Sequence, residues 1–323
     1  MEPILSRKNG GIMKGQPWKT AFVAIGMLML VAVIPLPVAA KTLSVVTTTE
    51  DLAALTREVG GDRAKVESIA RGYQDVHFVE AKPSYLLKLQ RADLLLLVGL
   101  QLEIAWLPPL ITQSRNPRIQ VGAAGYLNVA QFVEVLEIPT GEVTRAMGDV
   151  HPMGNPHYWL DPGNGRRMAG AIKDKLIELQ PEDAPYFEQR FKDFDRRLSE
   201  AENRWSSQAA ALKGIEVVAY HNTWPNLAKR FGLKVVGFVE PKPGIPPTAR
   251  HTLDIINLIK RNKVPLILVE PYFDLRTPNS IAAQTGAKVV VLLPSVGGNA
   301  EVTDYFALFD YNLRRLAAAL GKG

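Results

Sequence analysis

Leu94-Leu95-Leu96-Leu97-Val98 is an unbroken apolar run of strand length, and it narrows the fold more than any other stretch of the chain. A strand with one wet face alternates polar and apolar residues. A strand apolar at every position needs cover on both faces, which is the condition inside a parallel sheet flanked by helices. The neighbouring sequence agrees. A β-branched run at 43–48 is followed by Thr49-Glu50-Asp51, a helical pattern with Leu52, Leu55 and Val59 on one face, and Gly60-Gly61 as a stop. Residues 65–69 read as a second strand, and Pro83 opens a helix that runs to Ala92. Residues 102–107 read as a short helical turn ahead of Pro108-Pro109. Strands alternating with helices predict βαβ units around a parallel sheet.

The middle of the chain breaks that rhythm. Residues 164–179 are helical in pattern, Pro181 and Pro185 follow, and 186–213 contain neither proline nor glycine. Phe187, Phe191, Phe194, Leu198, Ala201 and Trp205 recur every three or four residues along this stretch, so one face is apolar and the other charged. At 1.5 Å per residue such a helix reaches roughly 40 Å, long enough to span two lobes. Alternation then resumes, with strands at 215–219, 235–239, 266–269 and 288–292 and helices at 223–231, 247–261, 278–285 and 303–320. The predicted fold class is α/β: two βα lobes with parallel sheets joined by one long connecting helix. The expected divisions are an N-terminal lobe at 41–163, connecting helices at 164–213 and a C-terminal lobe at 214–323.

Residues 1–40 differ in kind. Arg7, Lys8, Lys14 and Lys19 precede an apolar run at 21–34, and Val38-Ala39-Ala40 supplies small residues before Lys41. That order is the pattern of a cleavable secretory signal peptide. The run is shorter than the roughly 20 residues of a spanning helix, and an uncleaved N-terminal anchor is the alternative. The expected location is therefore periplasmic or otherwise extracytoplasmic. Setting 1–40 aside removes four basic side chains and Glu2, so the formal net charge drops from +6 to +3. No dense basic block interleaved with aromatics remains, which argues against nucleic acid as a partner. The chain has no cysteine, so neither disulfides nor a lipid-modified cysteine is available to it.

Histidine is the commonest metal ligand, and the chain holds five. His151 and His157 lie in His151-Pro152-Met153-Gly154-Asn155-Pro156-His157-Tyr158-Trp159-Leu160-Asp161-Pro162, where three prolines and a glycine hold the backbone out of regular structure. His77 lies past the second strand, and His221 ends the strand that includes Val217-Val218-Ala219-Tyr220. Ligands of open α/β sheets bind outside the carboxyl ends of strands, so His77, His157 and His221 are placed to converge on one crevice. Glu240 and Glu270 follow strands in equivalent positions. Three imidazoles and a carboxylate suit zinc, and also manganese or ferrous iron. Three separate solvated loop histidines is the plainer reading, and at this level it stays open. His151 and His251 read as surface residues, His251 beside the basic Arg250.

These residues carry a resemblance. Asn155-Pro156-His157-Tyr158-Trp159-Leu160-Asp161-Pro162 is similar to the NPH-x-W-x-DP signature of the zinc and manganese solute-binding proteins of ABC importers, the group with a rigid helical backbone between its lobes. Asp75-Val76-His77, with Glu80, Pro83-Ser84-Tyr85-Leu86 and Ala92-Asp93-Leu94, resembles the stretch bearing that family's first ligand. His221-Asn222 resembles the third-ligand position, Glu270-Pro271-Tyr272-Phe273 the family's EPQF segment, and Tyr311-Asn312-Leu313 its last helix. The resemblance implies capture of a divalent metal outside the cytoplasmic membrane and delivery to a membrane permease, by a monomer that is not an enzyme. It carries His77, His157 and His221 over as ligands.

The fourth ligand does not carry over. Leu293 stands where the family commonly has an aspartate, Val76 replaces a usual proline, and the His-rich acidic loop of many zinc-specific members is missing. Glu270 is the expected replacement for the aspartate, with Glu240, Ser295, Asp304 or a water as the other candidates. A water there would give a three-histidine open site, and a zinc-dependent hydrolase is the competing function. No HExxH arrangement supports it. A haem- or siderophore-type chelate receptor of the same architecture is the other alternative.

Overall fold

The computed structural model describes residues 41–144, 147–148 and 150–321, together with Gly15. The expected signal peptide at 1–40 otherwise lies outside the described residues. Among the described residues no helix is long and apolar enough to cross a membrane.

The leucine run forms β3 (Leu94–Leu97), buried at every position. It lies in a parallel sheet of order β2-β1-β3-β4, with β1 (Leu43–Thr47), β2 (Ala64–Ser68) and β4 (Tyr126–Asn128). A second parallel sheet, β6-β5-β7-β8, contains β5 (Glu216–Ala219), β6 (Lys234–Phe238), β7 (Leu266–Val269) and β8 (Lys288–Val291). The predicted two-sheet α/β architecture is therefore present.

Local chemistry explains the helix boundaries. In α1 (Glu50–Gly60) the Thr49 hydroxyl caps the Leu52 N–H, and Glu50 and Asp51 occupy the first turn, where the helix dipole favours negative charge. Helix α2 (Pro83–Arg91) opens on proline. The prolines 108 and 109 were expected to end a turn; instead they lie in the first turn of α3 (Leu107–Ser114). The N–H groups they lack have no intrahelical partner there, so proline begins a helix at little cost. Strand β4 was not predicted, being a three-residue edge strand too short to show a period.

Helix α4 (Pro162–Leu179) leads to α5 (Ala184–Gln208), the expected long helix. Its 25 residues reach roughly 37 Å. It ends five residues before the expected limit, in a 3-10 turn over Ala209–Leu212. The second lobe adds α6 (Pro225–Phe231), α7 (Ala249–Asn262), α8 (Arg276–Thr285) and α9 (Tyr305–Ala319). Helix α5 serves both lobes. Arg197 pairs with Glu58 of α1, while Phe194 packs on Phe306 of α9 at 5.7 Å between ring centroids. Trp205 packs on Phe309 at 4.9 Å and donates to Asp310.

One buried core joins β1, β3, β5 and β7 residues to this helix, and a second core lies between the C-terminal sheet and α7 and α8. The lobes also touch directly. The buried Asp51 carboxylate accepts from Ser295 Oγ and the Val296 N–H. Gly72 allows this approach, since a Cβ there would stand 1.8 Å from the Val296 carbonyl oxygen. Phe194→Ala is expected to cost about 3–5 kcal/mol in denaturant unfolding, because the vacated space lies in the core both lobes share. A loss below about 1 kcal/mol would show that α5 does not bind the lobes together.

Candidate metal centre

Both sheets reverse strand order beside their first strand, between β1 and β3 and between β5 and β7. Such switch points open a crevice at the carboxyl ends of the strands. His77 lies on the loop after β2, His221 two residues past β5, and Glu270 directly after β7. His157 comes from the segment between the lobes, ahead of a 3-10 turn over Tyr158–Leu160. The structure brings His77, His157 and His221 together, with one ring nitrogen of each lying within 4.8 Å of the others. Their ring centroids are 5.2–5.6 Å apart, and their exposures are 6%, 3% and 6%.

Each ring is held from behind. Asp75 Oδ1 accepts from the His77 backbone N–H at 3.0 Å and from Nδ1 at 2.8 Å. Asn155 Oδ1 does the same for His157, at 2.9 and 3.1 Å. Glu240 Oε2 lies 2.7 Å from His221 Nδ1. With Nδ1 donating, the lone pair of each imidazole is left on Nε2, which is the arrangement a metal requires. Trp106 steadies the first loop by donating to the Val76 carbonyl at 2.9 Å.

The Nε2 atoms of His77 and His157 are buried without a hydrogen-bond partner. Such atoms are costly unless something arrives to satisfy them. Burial and the neighbouring His77, His221 and His151 hold His157 well below its ordinary pKa, so it stays neutral and able to ligate at neutral pH. Glu270 stands outside the set of mutually close ligand atoms, yet it is fully buried, with only the Thr223 hydroxyl and its own backbone N–H to steady the carboxyl. Burial, with the charges of Glu240 and Asp75 adding to it, pushes its carboxyl up to about 8.

The other candidate ligands are engaged elsewhere. Glu240 holds His221, Ser295 donates to Asp51, and Asp304 caps α9 by accepting from the Phe306 and Ala307 N–H groups. His251 is half-buried rather than exposed, its Nε2 at 2.9 Å from the Phe238 carbonyl oxygen. His151 also departs from the surface position expected of it. It is half-buried, with its ring 5.3 Å from that of His77 and its Nε2 buried without a partner. Burial first, then the charge of His77, lowers its pKa to about 4. Sequence reasoning missed Asp75 and Asn155 as the groups that orient the rings. The shared spacing of Asp75-x-His77 and Asn155-x-His157 was the signal.

A buried acid leaves a signature in stability. Glu270 ionises near 4.5 in the unfolded chain and near 8 when folded. Between those values the folded protein keeps a proton that the unfolded chain has lost, so stability falls as pH rises through the window. For metal-free protein, the melting-temperature advantage of Glu270→Gln over the parent is expected to grow from pH 4.5 to 8 and then level off. A difference independent of pH would contradict the buried carboxyl.

Comparison with known proteins bears on the family rather than on the individual site residues. Residues 45–319 match the family described as zinc-uptake complex component A, periplasmic. The chain is 27% identical over 303 residues to the iron-binding protein YfeA of Yersinia pestis, covering 88% of each. It is 25% identical over 292 residues to the manganese ABC transporter substrate-binding lipoprotein PsaA of Streptococcus anginosus, covering 87% of this chain and 90% of that one. It is 24% identical over 286 residues to the high-affinity zinc uptake system protein ZnuA of Bacillus subtilis, covering 86% and 88%. A crystal structure of ZnuA shares the fold, with a TM-score of 0.72 at 23% identity over 86% of this chain and 99% of that one. These relatives are named for three different metals, so kinship alone does not name the ion. By the match over 45–319, the chain belongs to the family of periplasmic zinc-uptake component A proteins.

Proposed function

We propose that this protein captures a divalent metal ion outside the cytoplasmic membrane and delivers it to the permease of an ABC importer. His77, His157 and His221 are the nitrogen ligands, and Glu270 is the carboxylate of the site. The observation that carries the reading is the convergence of three buried imidazoles, two with Nε2 atoms that no protein group satisfies. A cation relieves that cost, and also the cost of burying the Glu270 carboxyl. Three nitrogens favour zinc; manganese and iron(II) follow, since manganese prefers more oxygen.

The chemistry is coordination rather than catalysis: Asp75 and Glu240, the carboxylates next to the rings, are spent on Nδ1. The same geometry speaks against a haem or siderophore receptor, because one nitrogen of each ring lies within 4.8 Å of the others, a spacing suited to a single small cation. Residues 41–163 and 214–323 form the two metal-binding lobes and 164–213 the connecting helices. Residues 1–40 direct export and are removed. With no cysteine to carry a lipid, the mature protein lacks the lipid anchor for which some relatives are named. His157→Ala is expected to lower zinc affinity at least about tenfold in a competition titration, as loss of one ligand from a small set should. Unchanged affinity would sink the assignment.

A further inference from the structure

The metal-receptor reading leaves one histidine of the cluster without a task. His151 is excluded from the mutually close ligand set, yet its ring lies 5.3 Å from that of His77, as near as His77 lies to the other ligands. Its Nε2 is buried and has no hydrogen-bond partner, the same condition as the Nε2 atoms of His77 and His157. The ring engages the Leu100 backbone, and Nε2 is the nitrogen left over, where a core histidine with a purely structural role would spend both.

Its position is also particular. His151 lines a cavity of about 240 Å³ shared with Glu137, His157, His221 and Asn222. On its other side it lines a second cavity of about 200 Å³, shared with His77, Phe78 and Gln101. It thus stands where space reaching His157 and His221 meets space reaching His77. At the first cavity Glu137 is exposed and accepts from Asn155 Nδ2 at 3.0 Å and Asn222 Nδ2 at 2.8 Å. An exposed carboxylate at an opening draws cations toward it. Asn222 Oδ1, on the same wall, is buried and unpaired.

We propose that His151 is a transit ligand: its Nε2 binds the cation at the mouth of the site and passes it to His77, and takes it back on release. This rests on the metal-receptor reading. A hydrated ion that must shed several waters to reach three buried nitrogens crosses a lower barrier if one nitrogen replaces water before the seat is reached. The ligand that does so need not hold the seated ion, so it changes rates more than affinity.

The test compares the exported form of the chain with its His151→Gln and His151→Ala variants. Rapid mixing with zinc and a fluorescent competitor gives uptake; mixing the zinc-loaded protein with excess chelator gives release. Both rates are expected to fall about tenfold in both variants, equivalent to about 1.4 kcal/mol on the barrier, with the equilibrium constant within about threefold of the parent. Unchanged rates would overturn the proposal. So would faster exchange in His151→Ala, which would make the ring a plug, or affinity lost through faster release alone, which would make it a resident ligand. His157→Ala run alongside separates the two claims, since failure of the metal centre itself appears there as unchanged affinity.

Discussion

Tyr158 and Trp159 tie the turn that carries His157 to both lobes at once, and the site's geometry depends on that tie. The Tyr158 hydroxyl donates to the Val98 carbonyl just past β3, and Trp159 Nε1 donates to the Pro294 carbonyl beyond β8 at 2.7 Å. Tyr305 of α9 donates in turn to the Trp159 carbonyl at 2.6 Å. Each buried hydrogen bond is worth about 1 kcal/mol net, but leaving a partner unpaired costs more, so the turn has little freedom to shift. Both aromatics are buried, at 0% and 2% exposure, which adds apolar burial to the same few residues. His157 therefore takes its place relative to the ends of both sheets.

The other ligands are held by the same logic at smaller scale. Asp75, Asn155 and Glu240 each spend an oxygen on an Nδ1, which leaves Nε2 as the free nitrogen of each ring. Burying the partnerless Nε2 atoms of His77, His151 and His157 this close together carries a desolvation cost. Under the proposed function a bound cation relieves that cost, so affinity does not depend on closing the lobes. The helical spine makes large lobe motions expensive, because Phe194, Trp205 and Arg197 of α5 are packed or paired on both sides.

Much of this was legible in the residues. The leucine run and its flanking caps announced a parallel sheet, and the long stretch without proline or glycine announced the spine. That His77, His157 and His221 come together was readable from two strand ends and the loop between the lobes. What was not readable depended on tertiary packing. Pro108 and Pro109 are ambiguous because the same ring that stops one helix suits the first turn of another. Strand β4 is set by pairing with β3 rather than by its own three residues. His151 looked like a surface residue because its exposure is decided by how the loop folds back on His77. Nothing local shows that. Glu270 is a partial case: its place after β7 was evident, its distance from the three nitrogens was not.

The most direct test of the central claim is a crystal structure of protein isolated without added metal, with anomalous data collected at the zinc and manganese edges. A zinc-edge peak is expected about 2.0–2.1 Å from Nε2 of His77, His157 and His221. A metal bound elsewhere, or one in the crevice that leaves His157 Nε2 uncoordinated, would contradict it.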